Sequence, residues 1–474
     1  MAVILIIVIA IYLAMIFSVK YRTAIATLGI GALLLYTTIF EGYSFADAFK
    51  SFPFEIVILI LTLALFSKIF ENNGFLKFIG DKLSELSKGK KLFIIIVLPL
   101  VMYATSLFMN NLSVVLLFTF ISLTLIRKLN LPVIPVLVSG LIASNIGGCP
   151  LPWADTPAVI ITLYTDFTII DFLTKLFVPC AIYVVLLILY TIIWTKFSNK
   201  NSEICCDSNS KSFMRYHKPK KFPKPPHHKS GVDIPPPPPP PPYEPAPHIK
   251  IQMKNSNFKN VYLPLILFAG LIAGICIAPF FNISISYICI FFMGLTIISV
   301  VTNPEEILNS LSINDSIVFI SSLFMISGIL EHFGILKIIV TYILSFTGDS
   351  KILILLCILL SAFIISTFLS AGPATATILP ICVQLLPVVG SNFIFAALAL
   401  GILAGSSMLP WSATGGPIML SEVDRYLHHY DISNEEEVKI KEIYNLKKYV
   451  SFSIPFALLM LICSALYLIV YISI

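Results

Sequence analysis

From about Leu131 to Tyr164 the chain is apolar enough for a membrane interior, yet its middle reads GGCPLPWADTP, Gly147 to Pro157. Two glycines, three prolines and an aspartate do not continue a helix. Proline lacks the N–H and clashes with the preceding turn, and glycine adds backbone entropy cost. Broken backbone at membrane depth is tolerated only where it lines a cavity or is buried in protein. The stretch has a twin, GSSMLPWSATGGP, Gly405 to Pro417, in which Pro410, Trp411 and Thr414 follow Pro152, Trp153 and Thr156 at a spacing of 258. Two of the chain's three tryptophans sit at this shared place. Paired discontinuous helices of this kind form the substrate and ion sites of secondary transporters, so we read a transporter whose two halves meet at the breaks.

The composition agrees with that reading. Of 474 residues 57% are hydrophobic and only 12% charged, and apolar runs of about 18 residues or more read as membrane spans. The opening MAVILIIVIAIYLAMIF has no basic n-region and no A-x-A site, so we expect a first span and not a cleaved leader. The nine cysteines are scattered, without a CxxC or a disulfide framework. No HExxH, G-x-S-x-G or P-loop is present, which argues against an enzyme, and no cofactor is expected beyond transported or coupling Na+ or H+.

In chain order, spans are expected near 2–18, 23–39 and 54–70. A Lys-rich amphipathic stretch at 74–91 should lie in the interface. Arms 92–108 and 112–126 around Met109-Asn110-Asn111 should form a re-entrant hairpin, followed by the broken helix and a span near 172–195. The order then recurs: spans near 261–281, 284–301 and 315–330, hairpin arms 352–369 and 373–388 around Ser370-Ala371-Gly372, a broken helix near 393–421 and a span at 449–474. An offset of 260 sets Glu55 on Asp315, Glu71 on Glu331, Gly74 on Gly334 and Lys77 on Lys337. The expected fold is an all-α polytopic membrane protein of two inverted repeats, 1–195 and 261–474, each with five spans, one re-entrant hairpin and a broken helix. An odd number of crossings inverts the second half.

Charge supports this topology. Of the 31 Lys and Arg, all but Lys50, Lys175, Lys337 and Lys351 fall on the side holding the 196–260 linker. That bias makes the linker cytoplasmic and both termini external in a cell membrane, and leaves nucleic acid a poor explanation of the net charge of +6. The linker carries eight prolines at 235–242. It reads as a disordered tether, or as a polyproline II segment for an SH3- or WW-like partner. The scattered His217, His227, His228 and His248 are weak as metal ligands. The loop 422–448 reads as a charged cytoplasmic helix with a solvated face. Remaining partners are the bilayer, a small inorganic ion or anion, and a second copy of the chain.

Asp155 is the sharpest chemical candidate, because a carboxylate at membrane depth is costly. It precedes Thr156-Pro157, where a half-helix should start with Thr156 as N-cap and Pro157 at N1; the structural reading is that Asp155 assists that cap. Its repeat counterpart is Ala413. The hairpin tips offer Asn110 and Asn111, and Ser370 and Thr375, which bind an ion or merely satisfy the turn. Asn145, Ser406, Ser407 and Thr414 line the breaks, as ligands or as satisfiers of free backbone. Glu55, Asp315, Glu71 and Glu331 fall near span ends, where solvation explains them, and Trp153 and Trp411 read as packing residues.

The modules FMNNLSVVLL…ASNIGGCPLPWADTP and FLSAGPATATILP…GSSMLPWSATGGP resemble the ion-transporter superfamily of divalent-anion/sodium symporters, arsenite permeases, citrate transporters and NhaD-type sodium/proton antiporters. The resemblance covers nearly the whole chain except the linker, and the chain looks most like a branch described as predicted cation transporters. It implies sodium sites at each tip and break: Asn110, Asn111, Gly147, Gly148, Ser370, Gly372 and Ser406, beside Asp155. The sodium/dicarboxylate branch carries Ser-Asn-Thr at each tip; Asn110-Asn111-Leu112 and Ser370-Ala371-Gly372 stand there instead. The expected function is therefore Na+/H+ antiport by alternating access, with Asp155 exchanging proton for cation. The alternative is Na+-coupled symport of a small carboxylate or oxyanion bound between the tips.

Overall fold

A computed structural model describes residues 2–18, 21–50, 52–72, 85, 90–109, 111–129, 131–198, 262–281, 283–301, 305, 314–348, 350–413, 415–429 and 446–473. Asn110, Thr414, the 196–260 linker from 199 on, most of the Lys-rich 74–91 stretch and the loop 430–445 lie outside the described residues. Every element is helical: α1 Ala2–Phe17, α2 Arg22–Glu41, α3 Phe45–Lys50, α4 Phe54–Asn72, α5 Lys91–Ser106, α6 Asn111–Leu129, α7 Val133–Gly147, α8 Thr156–Tyr164 and α9 Val178–Ser198. They continue with α10 Tyr262–Ile277, α11 Ile285–Val300, α12 Asn314–His332, α13 Ile335–Thr347, α14 Lys351–Phe368, α15 Ala371–Val389, α16 Phe393–Ser406, α17 Gly416–His429 and α18 Leu446–Ser473. Two features were not anticipated from sequence. One is the short α3, where the Asp47 N–H donates to Ser44 Oγ at 3.2 Å. The other is a π-helical segment, Phe172–Phe177, leading into α9.

Five described stretches are long and apolar enough to cross a bilayer: Thr23–Glu41, Ile169–Lys196, Lys351–Phe368, Ala371–Val389 and Leu446–Tyr471. Their outer faces carry bare apolar side chains, such as Leu28 at 76% and Ile462 at 56% exposed, as a lipid-facing surface should. The break-bearing helices are shorter. α7 has 15 residues, a length of about 22 Å against a hydrocarbon core of about 30 Å, so alone it is too short to cross. α12 and α13 meet at a 77° bend, made by Gly334 at φ 71, a conformation glycine adopts without a Cβ penalty.

Helix starts recur at one interval. α1, α4, α5, α6, α7 and α8 begin 260 residues before α10, α12, α14, α15, α16 and α17. Contacts recur as well, and in a crossed sense. α8 packs on α15 while α17 packs on α6, and α2 packs on α12 while α11 packs on α4. Within each half, α5 lies along α7 as α14 lies along α16. Glycines make that second pairing tight. A Cβ on Gly147 would collide with the Tyr103 carbonyl, and one on Gly405 with the Phe363 carbonyl. The last helices of the halves are tied by Tyr183 and Ser464, hydroxyl to hydroxyl at 2.7 Å, and by Tyr190 Oη donating to the Phe452 carbonyl at 2.8 Å.

Candidate functional site

The end of α7 and the start of α8 are eight residues apart, and Asp155 spans the gap. It is the N-cap of α8, with Oδ1 accepting the Thr156 N–H at 2.8 Å. This corrects the expectation that Thr156 is the cap and Pro157 the first helical residue. Thr156 and Pro157 are instead the first and second residues of α8, because Asp155 keeps extended backbone, φ −145 and ψ 166, while its carbonyl already accepts the Val159 N–H at 3.1 Å. Oδ2 leans the other way, over Gly148. A Cβ built on Gly148 would stand 2.7 Å from Asp155 Cβ, 3.3 Å from Oδ2 and 3.4 Å from the Asn145 carbonyl oxygen. Gly148 is thus the vacancy that lets the carboxylate fold back against the α7 C-terminus. Carbonyl groups at a helix C-terminus carry partial negative charge, so Oδ2 and the Asn145 carbonyl present two oxygens to one small region.

Behind this lies a buried amide pair. Asn111 begins α6 and is fully buried, and its Nδ2 donates to Asn145 Oδ1 at 2.8 Å. Asn111 Oδ1 accepts from the Ser144 hydroxyl and, at 3.4 Å, from the Ser106 hydroxyl. Asn145 is 6% exposed, and its Nδ2 has no partner among the described residues. Ser106 and Ser144 were not singled out from sequence. The signal was present for Ser106, whose counterpart 260 positions on is Ser366.

Asn145, Gly148, Cys149, Asp155, Pro157 and Ala158 form one wall of a small cavity of about 20 Å³. The other wall comes from the second half: Ala371 at the start of α15, and Ala399, Ile402, Leu403 and Ser406 on α16. Of the residues expected at the site, the structure therefore brings together Asn145, Gly148, Asp155 and Ser406. Thr156 and Gly372 are adjacent, since a Cβ on Gly372 would lie 2.9 Å from Thr156 Cγ2. Asn111 and Gly147 stand behind the wall.

The second break is built differently. Ser406 and Ser407 hydroxyls donate to the Leu403 carbonyl at 3.2 and 2.8 Å, and Thr375 donates to the Ala371 carbonyl at 2.8 Å. These are bonds within each residue's own helix. Ser370 caps α15 by position, without a side-chain bond to it. Glu55 Oε1 accepts from Ser284 Oγ at 2.8 Å in an exposed setting, away from the cavity. Trp153 is buried, as a packing residue should be.

Comparison with known proteins agrees with this architecture. The magnetosome protein MamN of Magnetospirillum gryphiswaldense is 24% identical over 459 residues, 95% of this chain and 96% of that one. The P protein of Homo sapiens is 33% identical over 152 residues, 32% of this chain and 18% of that protein. A 46 kDa membrane protein of Mycobacterium leprae is 30% identical over 122 residues, 26% of this chain and 28% of that one. The family model described as citrate transporter, CitMHS, matches residues 12–405 and 282–473. With helices of membrane-crossing length and most of its length covered by that model, the chain is an integral membrane transporter belonging to the CitMHS family.

Proposed function

We propose that this transporter moves a small cation, Na+ in the first instance, in exchange for protons, and that Asp155 carries both. The observation behind this is the position of Asp155 across the break. One carboxylate oxygen is fixed by the α8 N–H, and the other faces the carbonyl end of α7 at the rim of a cavity shared by both halves. A hard cation is held by oxygens, and the ionised carboxylate with nearby carbonyls supplies them. Protonation removes the charge and releases the ion. Motion of one half against the other would then expose the cavity to each side in turn. The basic-residue bias supports a cytoplasmic linker and external termini in a cell membrane.

A second reading, Na+-coupled symport of a small carboxylate or oxyanion, is favoured by one feature. The Asn145 Nδ2 group is a buried donor with no partner among the described residues, and an anion would satisfy it. The family description points the same way.

Proteoliposomes with imposed Na+ and pH gradients separate the two. Antiport requires sodium-driven proton flux in the wild type and its loss in Asp155→Asn. That variant keeps the side-chain oxygen, so its capping loss should not exceed about 1 kcal/mol. Wild-type flux in Asp155→Asn, or flux that needs an added carboxylate, would transfer the argument to symport.

A further inference from the structure

We infer that a second, larger cavity beside the first hairpin is a binding site for one acyl chain of a bilayer phospholipid. It lies between α4, α5 and α10 and shares no lining residue with the cavity at Asp155. Its volume is about 700 Å³, within the roughly 300–1,000 Å³ of small-molecule sites. The packing of its walls explains why it stays open. α10 is drawn towards α11, where a Cβ on Gly270 would stand 2.8 Å from Phe292 Cε1 and one on Gly274 2.7 Å from Ile288 Cγ2. α5 is drawn towards α7, where a Cβ on Gly140 would stand 2.6 Å from Met102 Sδ. Phe268 of α10 meets Phe66 and Phe70 of α4, with ring centroids 5.3 and 5.5 Å apart. The faces left between these contacts carry small side chains, Ala104 on α5 and Ala269 and Ala273 on α10.

The lining selects the occupant. Among the described residues it holds no charged side chain, and its one hydroxyl, Thr105, already donates to the Val101 carbonyl at 2.6 Å. A buried water needs two to four polar partners and a hard cation needs oxygen ligands, so neither is held there. Left empty, the walls would forfeit dispersion contacts. The cavity is continuous with the lipid-facing surface. Phe108 at its edge is 52% exposed, and Ile266, next to the lining residue Leu265 on α10, is 66% exposed. Depth then separates chain from headgroup. Val101 lies ten residues after Lys91, the start of α5, which is about 15 Å of helix and half of a hydrocarbon core of about 30 Å. Ala273 lies eleven residues after Tyr262, the start of α10, about 17 Å along that helix. At such depth a bilayer supplies hydrocarbon chains alone. Met109, buried and two residues before Asn111, also lines the cavity, so the occupant touches the hairpin tip.

The test uses the full chain in phosphatidylcholine vesicles containing a small fraction of phosphatidylcholine with a photoactivatable diazirine on its sn-2 chain. Peptides labelled on irradiation are read by mass spectrometry. With the diazirine at the chain terminus, labelling of 101–109 and 265–273 should exceed that around Leu28 and Ile462, on the open lipid face, at least fivefold. With the diazirine beside the ester, that excess should vanish. Ala269→Phe and, separately, Ala104→Leu fill the cavity and should cut the excess at least fivefold, with labelling around Leu28 and Ile462 unchanged. Equal labelling of cavity and open face in the wild type overturns the inference. So does an excess that the ester-side probe reproduces or that both folded variants keep. An unlabelled cavity whose residues cross-link to a second copy or to the 74–91 stretch overturns it as well. The wild-type comparison needs no variant to fold, and none of these outcomes depends on sodium or proton flux.

Discussion

The two breaks share a backbone and differ in chemistry. Each follows a helix held tightly by a glycine against the preceding hairpin arm, Gly147 on Tyr103 and Gly405 on Phe363. Each leads into a half-helix that packs on the other half's hairpin. At the first break the side chains bond to one another: Asn111 to Asn145, Ser144 and Ser106 to Asn111, with Asp155 across the gap. At the second, the hydroxyls of Ser406, Ser407 and Thr375 bond to their own helices. Ala371 stands 260 positions after Asn111, and Leu403 stands 258 after Asn145. Both apolar substitutes face the cavity that the amides serve. Helix starts and glycine contacts thus recur at the two breaks, while side-chain bonding differs among the described residues. Among the described residues, the second half gives the cavity mostly apolar side chains and Ser406, while Asn145 and Asp155 come from the first.

The strongest way to break this comparison is at the shared glycines. Gly147→Ala and Gly405→Ala each drive a Cβ into a neighbouring carbonyl, and overpacking against rigid backbone costs about 3 kcal/mol or more. Both should lose the folded protein in fluorescence size-exclusion profiles; tolerance of only one would end the equivalence. Next comes Asn111→Ala. It leaves the Ser144 hydroxyl and Asn145 Oδ1 without their partner, at a cost of roughly 1–3 kcal/mol, read as a lowered Tm. Thr375→Val and Ser407→Ala remove bonds that only repeat a helix's own pairing, so each should cost about 0.5 kcal/mol and leave transport near wild type. Abolished flux at unchanged Tm in either would show ligands at the second break. The smallest effect is expected from deleting residues 212–250. Long insertions cost little loop entropy, and the halves already meet through packed helices, so flux should be unchanged.

Much of this architecture could be read from the chain alone, because spans and helix stops are local properties. The Pro-Trp pair of each break, Gly334 and the Ser370 hairpin tip all fell at or between helix ends. The bonding of the site was harder. Asp155 and Thr156 are both good N-caps, and the backbone conformation that puts Asp155 at the cap is not written in that pair of residues. The link between Asn111 and Asn145 spans 34 positions and depends on α6 and α7 lying side by side. No periodicity encodes that. The apolar wall of Ala371 and Leu403 was invisible for a related reason. Such residues gain meaning only opposite a polar partner contributed by the other half.

The crossed packing of α8 on α15 and α17 on α6 also bears on how the chain is made. At a synthesis rate of about 5–20 residues per second, the partners of α6 and α8 leave the ribosome on the order of ten seconds or more after them. During that interval Asp155 and the start of α8 lack the second-half residues that line the cavity beside them, while the Asn111–Asn145 pair already has its first-half partners. The cavity around Asp155 is therefore completed only late in synthesis, when Ala371 and the α16 residues Ala399 to Ser406 arrive.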